Sequence, residues 1–262
     1  MDSDGFTIVR SSGRGKRGKT SPRTTILAET RDRDEIDVTE SIRKIQAASA
    51  DLKASIFFDA LCVTLEETQK CETIWCFGLG HIGECVTARY QLALLLLLKD
   101  VLNVPSAKVF VNDPIFFSEE VEILQKLELN VALENIECRL ACREPTFLFL
   151  PHCPKQLSNN LLFSNWSGHL LANLTLLANS FHSIVSRSSV KELEHSAPLV
   201  QAVVEAGLVE ERVVENTFRF EDIFNDSSVH VFSGMEGMGE GFWQVEEQEY
   251  REGDTEFIRR KK

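Results

Sequence analysis

Between residues 73 and 151 short apolar runs alternate with longer helical stretches, and nothing else in the chain restricts its fold as much. TIWCF (73–77) leads into a helical pattern from about Glu84 to Leu102, then AKVFVND (107–113), a helix over 118–127, NVALEN (130–135) and TFLFLP (146–151). Such alternation specifies parallel strands joined by crossover helices. Glu119 and Glu120 fall in the first turn of the 118–127 helix, where the helix dipole favours acids. Further on, the pattern predicts a helical segment over 166–178, a fifth strand at FHSIV (181–185), and extended stretches at VVENTFRF and VHVF (229–232). Ahead of the sheet, Thr39 is placed to cap a helix carrying Ile42, Ile45, Leu52 and Ile56 along one face, and a second amphipathic piece ends near Gln69. The expected class is α/β, a Rossmann-like three-layer sandwich with a mostly parallel sheet and an N-terminal helical extension.

The two ends differ from this middle. Residues 10–23 (RSSGRGKRGKTSPR) carry six basic residues and no acid, a composition too poor in apolar groups to offset the entropy of ordering. A disordered basic arm is expected over 1–35, read either as a nuclear-import or nucleic-acid patch or as a solubilising tail. Residues 234–262 are rich in Gly and Glu without helical or strand periodicity and read as a second, acidic tail. The domain is expected to span 36–233. A net charge of −12 argues against general nucleic-acid binding, since phosphate contacts need a positive surface. The most lipid-like stretch, LALLLLL (92–98), is ended by Lys99 and Asp100 well short of a bilayer span. Seven irregularly spaced cysteines without a secretory pattern point to a reduced, cytoplasmic protein.

FGLGHIGE (77–84) sits between strand and helix. In such a turn the first glycine permits the bend, the second lets backbone approach a phosphate or carboxylate, and the third brings the helix close. Gly78, Gly80 and Gly83 hold those positions, and amides at the following helix start would attract an anion. Asp113 ends the next strand, where an acid meets a ribose hydroxyl in nucleotide and S-adenosylmethionine sites. It lies 30 residues beyond Gly83, against roughly 20 in the usual fingerprint. Glu84 would repel a pyrophosphate. The plain alternative is a compact turn, with Asp113-Pro114 starting a loop and capping a helix.

Immediately after the 146–151 strand come His152 and Cys153, at the edge of an open sheet where ligands bind. Cys138, Cys142, His152 and Cys153 could supply four zinc ligands, although their spacing matches no defined motif. Cys153-Pro154 is also the dipeptide of haem-regulatory sites, where a thiolate ligates iron. Otherwise His152 and Asn160 hydrogen-bond loop backbone, and Cys153 is a small buried apolar group. Asn159, Asn165, Asn179 and Ser180 add further polar groups able to read a ligand or tie loops together. The sequence contains no ordered catalytic triad and no lysine-bearing phosphate loop.

The succession FGLG, ARYQLALLLLL, VNDP, FLPHCP, NNLL, NW and ANSF, over about 70–185, resembles the sensitivity-to-red-light-reduced (SRR-like) family. The resemblance implies a regulator of circadian clock input and clock-gene expression. Animal members are linked to haem biosynthesis, a fungal relative to microtubule-related phenotypes, and no catalytic activity is established. It carries over Gly78, Gly80, Asp113, Pro114, Pro151, His152, Cys153, Asn160, Asn165, Trp166, Asn179, Ser180 and Phe181. His81 and Gly83 depart from the family pattern, which pairs the early glycines with serine, and Cys138 stands where the family tends toward glycine. The expectation is a cytoplasmic or nucleocytoplasmic regulator that binds unidentified protein partners or a small ligand through Gly78, Gly80, Asp113, His152 and Asn160, with Cys153 as the candidate metal ligand. The alternative is a methyltransferase-like enzyme binding S-adenosylmethionine or a nucleotide.

Overall fold

The computed structural model describes residues 35–250 and 257–260. The basic 10–23 stretch lies outside them. Helix α1 (Val38–Lys53) starts from Asp37, whose side chain accepts the Glu40 amide at 2.9 Å. The cap is thus two residues ahead of Thr39. Ile45 and Leu52 are buried, but Ile56 is 75% exposed, because it opens α2 (Ile56–Glu66) under a Ser55 cap.

Strand β1 (Thr73–Phe77), α3 (Val86–Val101), β2 (Val109–Asn112), α4 (Ser118–Lys126), β3 (Asn130–Val131) and β4 (Thr146–Leu150) follow in the expected order. Then come α5 (Lys155–Ser164), α6 (Gly168–Leu171), β5 (Leu174–Asn179), α7 (Phe181–Arg187), α8 (Val190–Ser196), α9 (Pro198–Glu205), β6 (Val209–Val213) and β7 (Ser227–Phe232). The apolar LALLLLL run is the middle of α3, and among the described residues no helix is long and apolar enough to cross a membrane.

Among the described residues the strands form one seven-stranded sheet of order β3-β2-β1-β4-β5-β7-β6. The first five strands are parallel, with Trp75 opposite Phe110 on one side and Leu148 on the other. β7 is antiparallel to both β5 and β6. Alternation along each strand divides the apolar residues between two layers. Ile74, Cys76, Phe147 and Phe149 face α1 to α4, while Phe77, Leu148 and Leu150 face α5, α8 and α9. The result is the expected three-layer α/β sandwich.

The fifth strand is displaced. It occupies 174–179, inside the stretch expected to be helical, and FHSIV is α7, capped by Ser180 through the Ser183 amide at 2.9 Å. In β5, Leu174 to Ala178 are buried on both faces, so the two-residue period that marks a half-exposed strand is absent and the apolar run reads equally well as a buried helix. VVENTFRF is strand only at Val213. NVALEN pairs only through Asn130 and Val131.

After Gly234 the chain forms no long element, as its composition predicts, yet the described part of it is docked. The Trp166 indole N–H donates to the Phe242 carbonyl at 2.9 Å, its ring packs on Phe242 and Trp243, and Tyr250 is only 5% exposed. Local composition cannot register that Trp166 and the Asn159–Asn160 pair offer this segment partners.

Candidate functional site

From β3 the chain crosses back over β1 to form β4, so the connections diverge between β1 and β4, and in such sheets the crevice at that switch point receives ligands. The glycine turn leaves the carboxyl end of β1, and His152 and Cys153 leave that of β4. A cavity of about 240 Å³ opens there, with Gly78, Gly80, Asp113, His152 and Cys153 in its wall. The spatial convergence that the sequence suggested is therefore present.

Gly78 and Gly80 take φ of +70° and +75°, a region in which a side chain clashes with its own backbone. The turn is not an open anion cradle. The Gly78 amide donates to the Asn112 carbonyl at 3.3 Å, that of Gly80 to Asp113 Oδ2 at 2.8 Å, and that of Gly83 to Glu120 Oε1 at 3.0 Å. The carboxylates that approach the backbone are the chain's own. Glu120 is fully buried under the turn, and its Oε2 accepts the Phe117 amide and lies 3.0 Å from His81 Nδ1. The expected attraction for an external phosphate thus has no free glycine amide to act through. Gly83 makes its close approach to Ile36, where a Cβ would come within 2.9 Å of the isoleucine side chain.

Asp113 Oδ1 also accepts the Ile115 amide at 3.1 Å, and burial pushes its carboxyl above the usual range. Asn112 ties β2 to the loop beyond β3 by donating to the carbonyls of Ala132 and Glu134, at 2.6 and 2.8 Å. His152 has φ +50° and an exposed ring. Its Nε2 is 2.9 Å from the Ile223 carbonyl. A carbonyl only accepts, so Nε2 carries the proton and Nδ1 is the acceptor nitrogen when the ring is neutral.

Cys153 is 5% exposed and its thiol points at the Phe77 carbonyl, 3.4 Å away. Burial, with Asp113 nearby, drives its pKa far above the ordinary thiol value. A buried, protonated thiol is the opposite of the exposed thiolate that ligates iron. Cys76 and Cys138 are likewise buried and held protonated by desolvation. Among the described residues no three His, Cys, Asp or Glu side chains are grouped to hold a metal ion, so the four-ligand zinc alternative is not formed. Cys142 instead donates its amide to Asn165 Oδ1 at 2.8 Å.

Asn160 stands behind the wall rather than in it, donating to the Glu137 carbonyl at 3.0 Å and accepting from the Tyr250 hydroxyl at 3.1 Å. The other amides are staples too. Asn159 accepts from Leu199 N, Asn165 donates to the Leu140 and Leu161 carbonyls, and Asn179 donates to the Cys153 carbonyl. Glu137 and Cys138 both have positive φ, +51° and +59°, which accounts physically for a glycine preference at position 138. Reading the sequence missed Glu120, Glu137, Ile223 and Tyr250. Of these only Glu120 left a trace, as one of two adjacent acids at a helix start.

A second cavity, about 530 Å³, lies on the other side of His152 and reaches Lys155, Asn179, His195 and Tyr250. His152, Cys153 and Pro154 border both spaces.

Comparison with known proteins matches the SRR1 domain to residues 39–231. An SRR1-like protein of Mus musculus is 38% identical over 129 residues, covering 49% of this chain and 52% of the relative. An SRR1-like protein of Drosophila melanogaster is 29% identical over 192 residues (72% and 66%), and the protein Sensitivity to red light reduced 1 of Arabidopsis thaliana 28% over 158 (60% and 57%). The matches thus span between about half and two thirds of each relative's length. The domain match runs from the second residue of α1 into β7, enclosing the whole sheet and the switch-point cleft, and this chain belongs to the SRR1 domain family.

Proposed function

We propose that the chain is a regulator in light- and clock-linked signalling that works by holding a protein partner or a small ligand at the His152 rim, and that it influences clock-gene expression and haem biosynthesis from the cytoplasm and nucleus. The pathway rests on kinship with a plant protein named for its red-light sensitivity. The binding mode rests on one observation. Glycine turn, Asp113 and His152 meet around a cavity at the switch point, while the groups that could drive a reaction are already committed. The Cys153 thiol is neutral and buried, the protonated nitrogen of His152 is spent on Ile223, and Asp113 is held by two amides. Recognition through the exposed edge of His152 fits this arrangement better than nucleophilic or acid–base work. The test is a clock-gene reporter in cells carrying His152→Ala or Asp113→Asn at normal protein level. A changed period or amplitude is expected, and an unchanged rhythm in both would reject a role for the cleft.

A second reading, a methyltransferase-like enzyme, is favoured by the sheet order. β1, β4 and β5 with their flanking strands form a doubly wound sheet, and Asp113 stands at the tip of β2 beside the glycine turn, where such sheets read a ribose hydroxyl. Fold alone does not carry a reaction. Thermal shift with S-adenosylmethionine, nucleotides and haem separates the readings, because a ligand at a hundred times its Kd adds about 2.7 kcal/mol. Stabilisation by S-adenosylmethionine, lost in Asp113→Asn, would favour the enzyme.

A further inference from the structure

The cavity at the glycine turn is already partly filled. Phe257 and Ile258 form part of its wall, brought there from far along the chain. The loop after β3 holds them by two polar side chains: Asn135 Nδ2 donates to the Ile258 carbonyl at 2.8 Å, and Glu137 Oε1 accepts the Arg260 amide at 2.6 Å. A carbonyl and an amide two residues apart on one edge are the groups by which an extended strand is read in a sheet. Here side chains do the reading.

The charges agree. Glu137 is buried, with a side chain 1% exposed, and its carboxylate faces Arg139, Arg259 and Arg260, the nearest of them at 3.4 Å and the last two at 4.0 and 3.9 Å. A carboxylate taken out of water needs cationic or N–H partners on every side. Two of the three arginines come from the docked segment. Glu137 and Cys138 also hold left-handed backbone, a strained conformation kept where the surroundings demand it.

From this we infer that the cleft is a peptide-recognition groove, that residues 257–260 are its occupant in cis, and that its partner in trans is an extended segment of the same chemistry: an aromatic and an aliphatic residue followed by two arginines. The inference rests on the cleft being a binding site, as proposed above, and names the partner's class. It also gives the 240 Å³ space a reason to be apolar beside a buried acid. The groove supplies burial for two apolar side chains, two backbone contacts and one buried countercharge.

The test uses the full chain. A fluorescent peptide FIRRKK, the sequence of residues 257–262, is titrated against the native chain and against a released variant, Ile258→Asp with Arg259→Ala and Arg260→Ala. An occupant tethered in cis competes at high effective concentration, so the released variant should bind at least tenfold more tightly than the native chain. Adding Glu137→Gln or Asn135→Ala to the released variant should weaken binding tenfold or more. Should Ile258→Asp or Glu137→Gln broaden the unfolding transition, the double arginine variant and Asn135→Ala replace them. A scrambled peptide of equal charge is the control for attraction to an acidic protein. Equal binding of both peptides, or no binding to the released variant, overturns the inference. If the released variant is stabilised by a small ligand of the panel and binds no peptide, the cleft keeps its function and only the peptide partner is refuted.

Discussion

Replacing Gly78 by alanine should destabilise the protein by about 2–5 kcal/mol, the sum of a backbone cost and a packing cost. Gly78 has φ +70°, where an L side chain costs roughly 1–2 kcal/mol. A Cβ there would also lie 2.5 Å from Cys153 Sγ, and forcing an extra carbon into a packed site costs about 1–3 kcal/mol. Gly80 separates the terms. Its φ is +75°, but its nearest neighbour, the Ala88 Cβ, is 4.0 Å away, so Gly80→Ala should cost only the backbone part, roughly 1–2 kcal/mol. The overlap can also be relieved directly, since Cys153→Ala removes the sulfur. In that background Gly78→Ala should fall back to the Gly80→Ala value, a coupling of about 1–3 kcal/mol in a double-mutant cycle. Urea unfolding followed by tryptophan fluorescence reads the native chain and all four variants on one scale. Equal costs at Gly78 and Gly80, or a Gly78→Ala penalty that survives Cys153→Ala, would show that the sulfur does not pack against the turn and would refute the account of the cleft wall.

Two further outcomes follow from the same structure. Iodoacetamide at neutral pH should mark exposed Cys85 in the native protein, while buried Cys76, Cys138 and Cys153, whose thiols are kept protonated by desolvation, react only after denaturation. Peptide mass spectrometry gives the order, and early labelling of Cys153 would contradict its placement. Glu211 should govern part of the acid limb of stability. Burial raises its carboxyl, but hydrogen bonds from His230, Ser180 and the His182 amide outweigh this and hold it far below its ordinary value of 4.5. A folded-state pKa below the unfolded one means stability that is present above about pH 4.5 and lost as pH falls through the folded value. Glu211→Gln should therefore lower stability at neutral pH and flatten its decline below pH 4.5; an unchanged acid slope in urea midpoints would remove Glu211 from that role.

The sheet was largely legible because its signals are local. β1, β2 and β4 are apolar runs flanked by helices, and helical spacing persists through α3 and α4. β5 was misplaced for a physical reason: Leu174 to Ala178 are covered on both faces, so the alternation that identifies a strand vanishes where burial is complete. The cap of α1 was missed by two residues because Asp37 and Thr39 are both competent caps, and the choice depends on where Ile36 enters the core. At the site, Gly78, Gly80, Asp113, His152 and Cys153 could be named from turn chemistry and strand ends. Asn160 could not be told from a wall residue, since an amide that reads a ligand and an amide that staples a loop look alike in sequence.

By itself the sequence determined the class of fold, the position of the glycine turn and the strand ends that carry polar groups, because periodicity and turn preference are properties of neighbouring residues. Only the tertiary structure decided what those groups do. The Gly80 amide is met by an acid 33 residues away, and the Gly83 amide by one 37 residues away. Glu137 meets a backbone amide 123 residues distant. Whether a donor in a turn is left for a ligand or answered by the chain depends on which strand ends and loops are brought to the same edge. That is fixed by packing across the sheet, which no local pattern records.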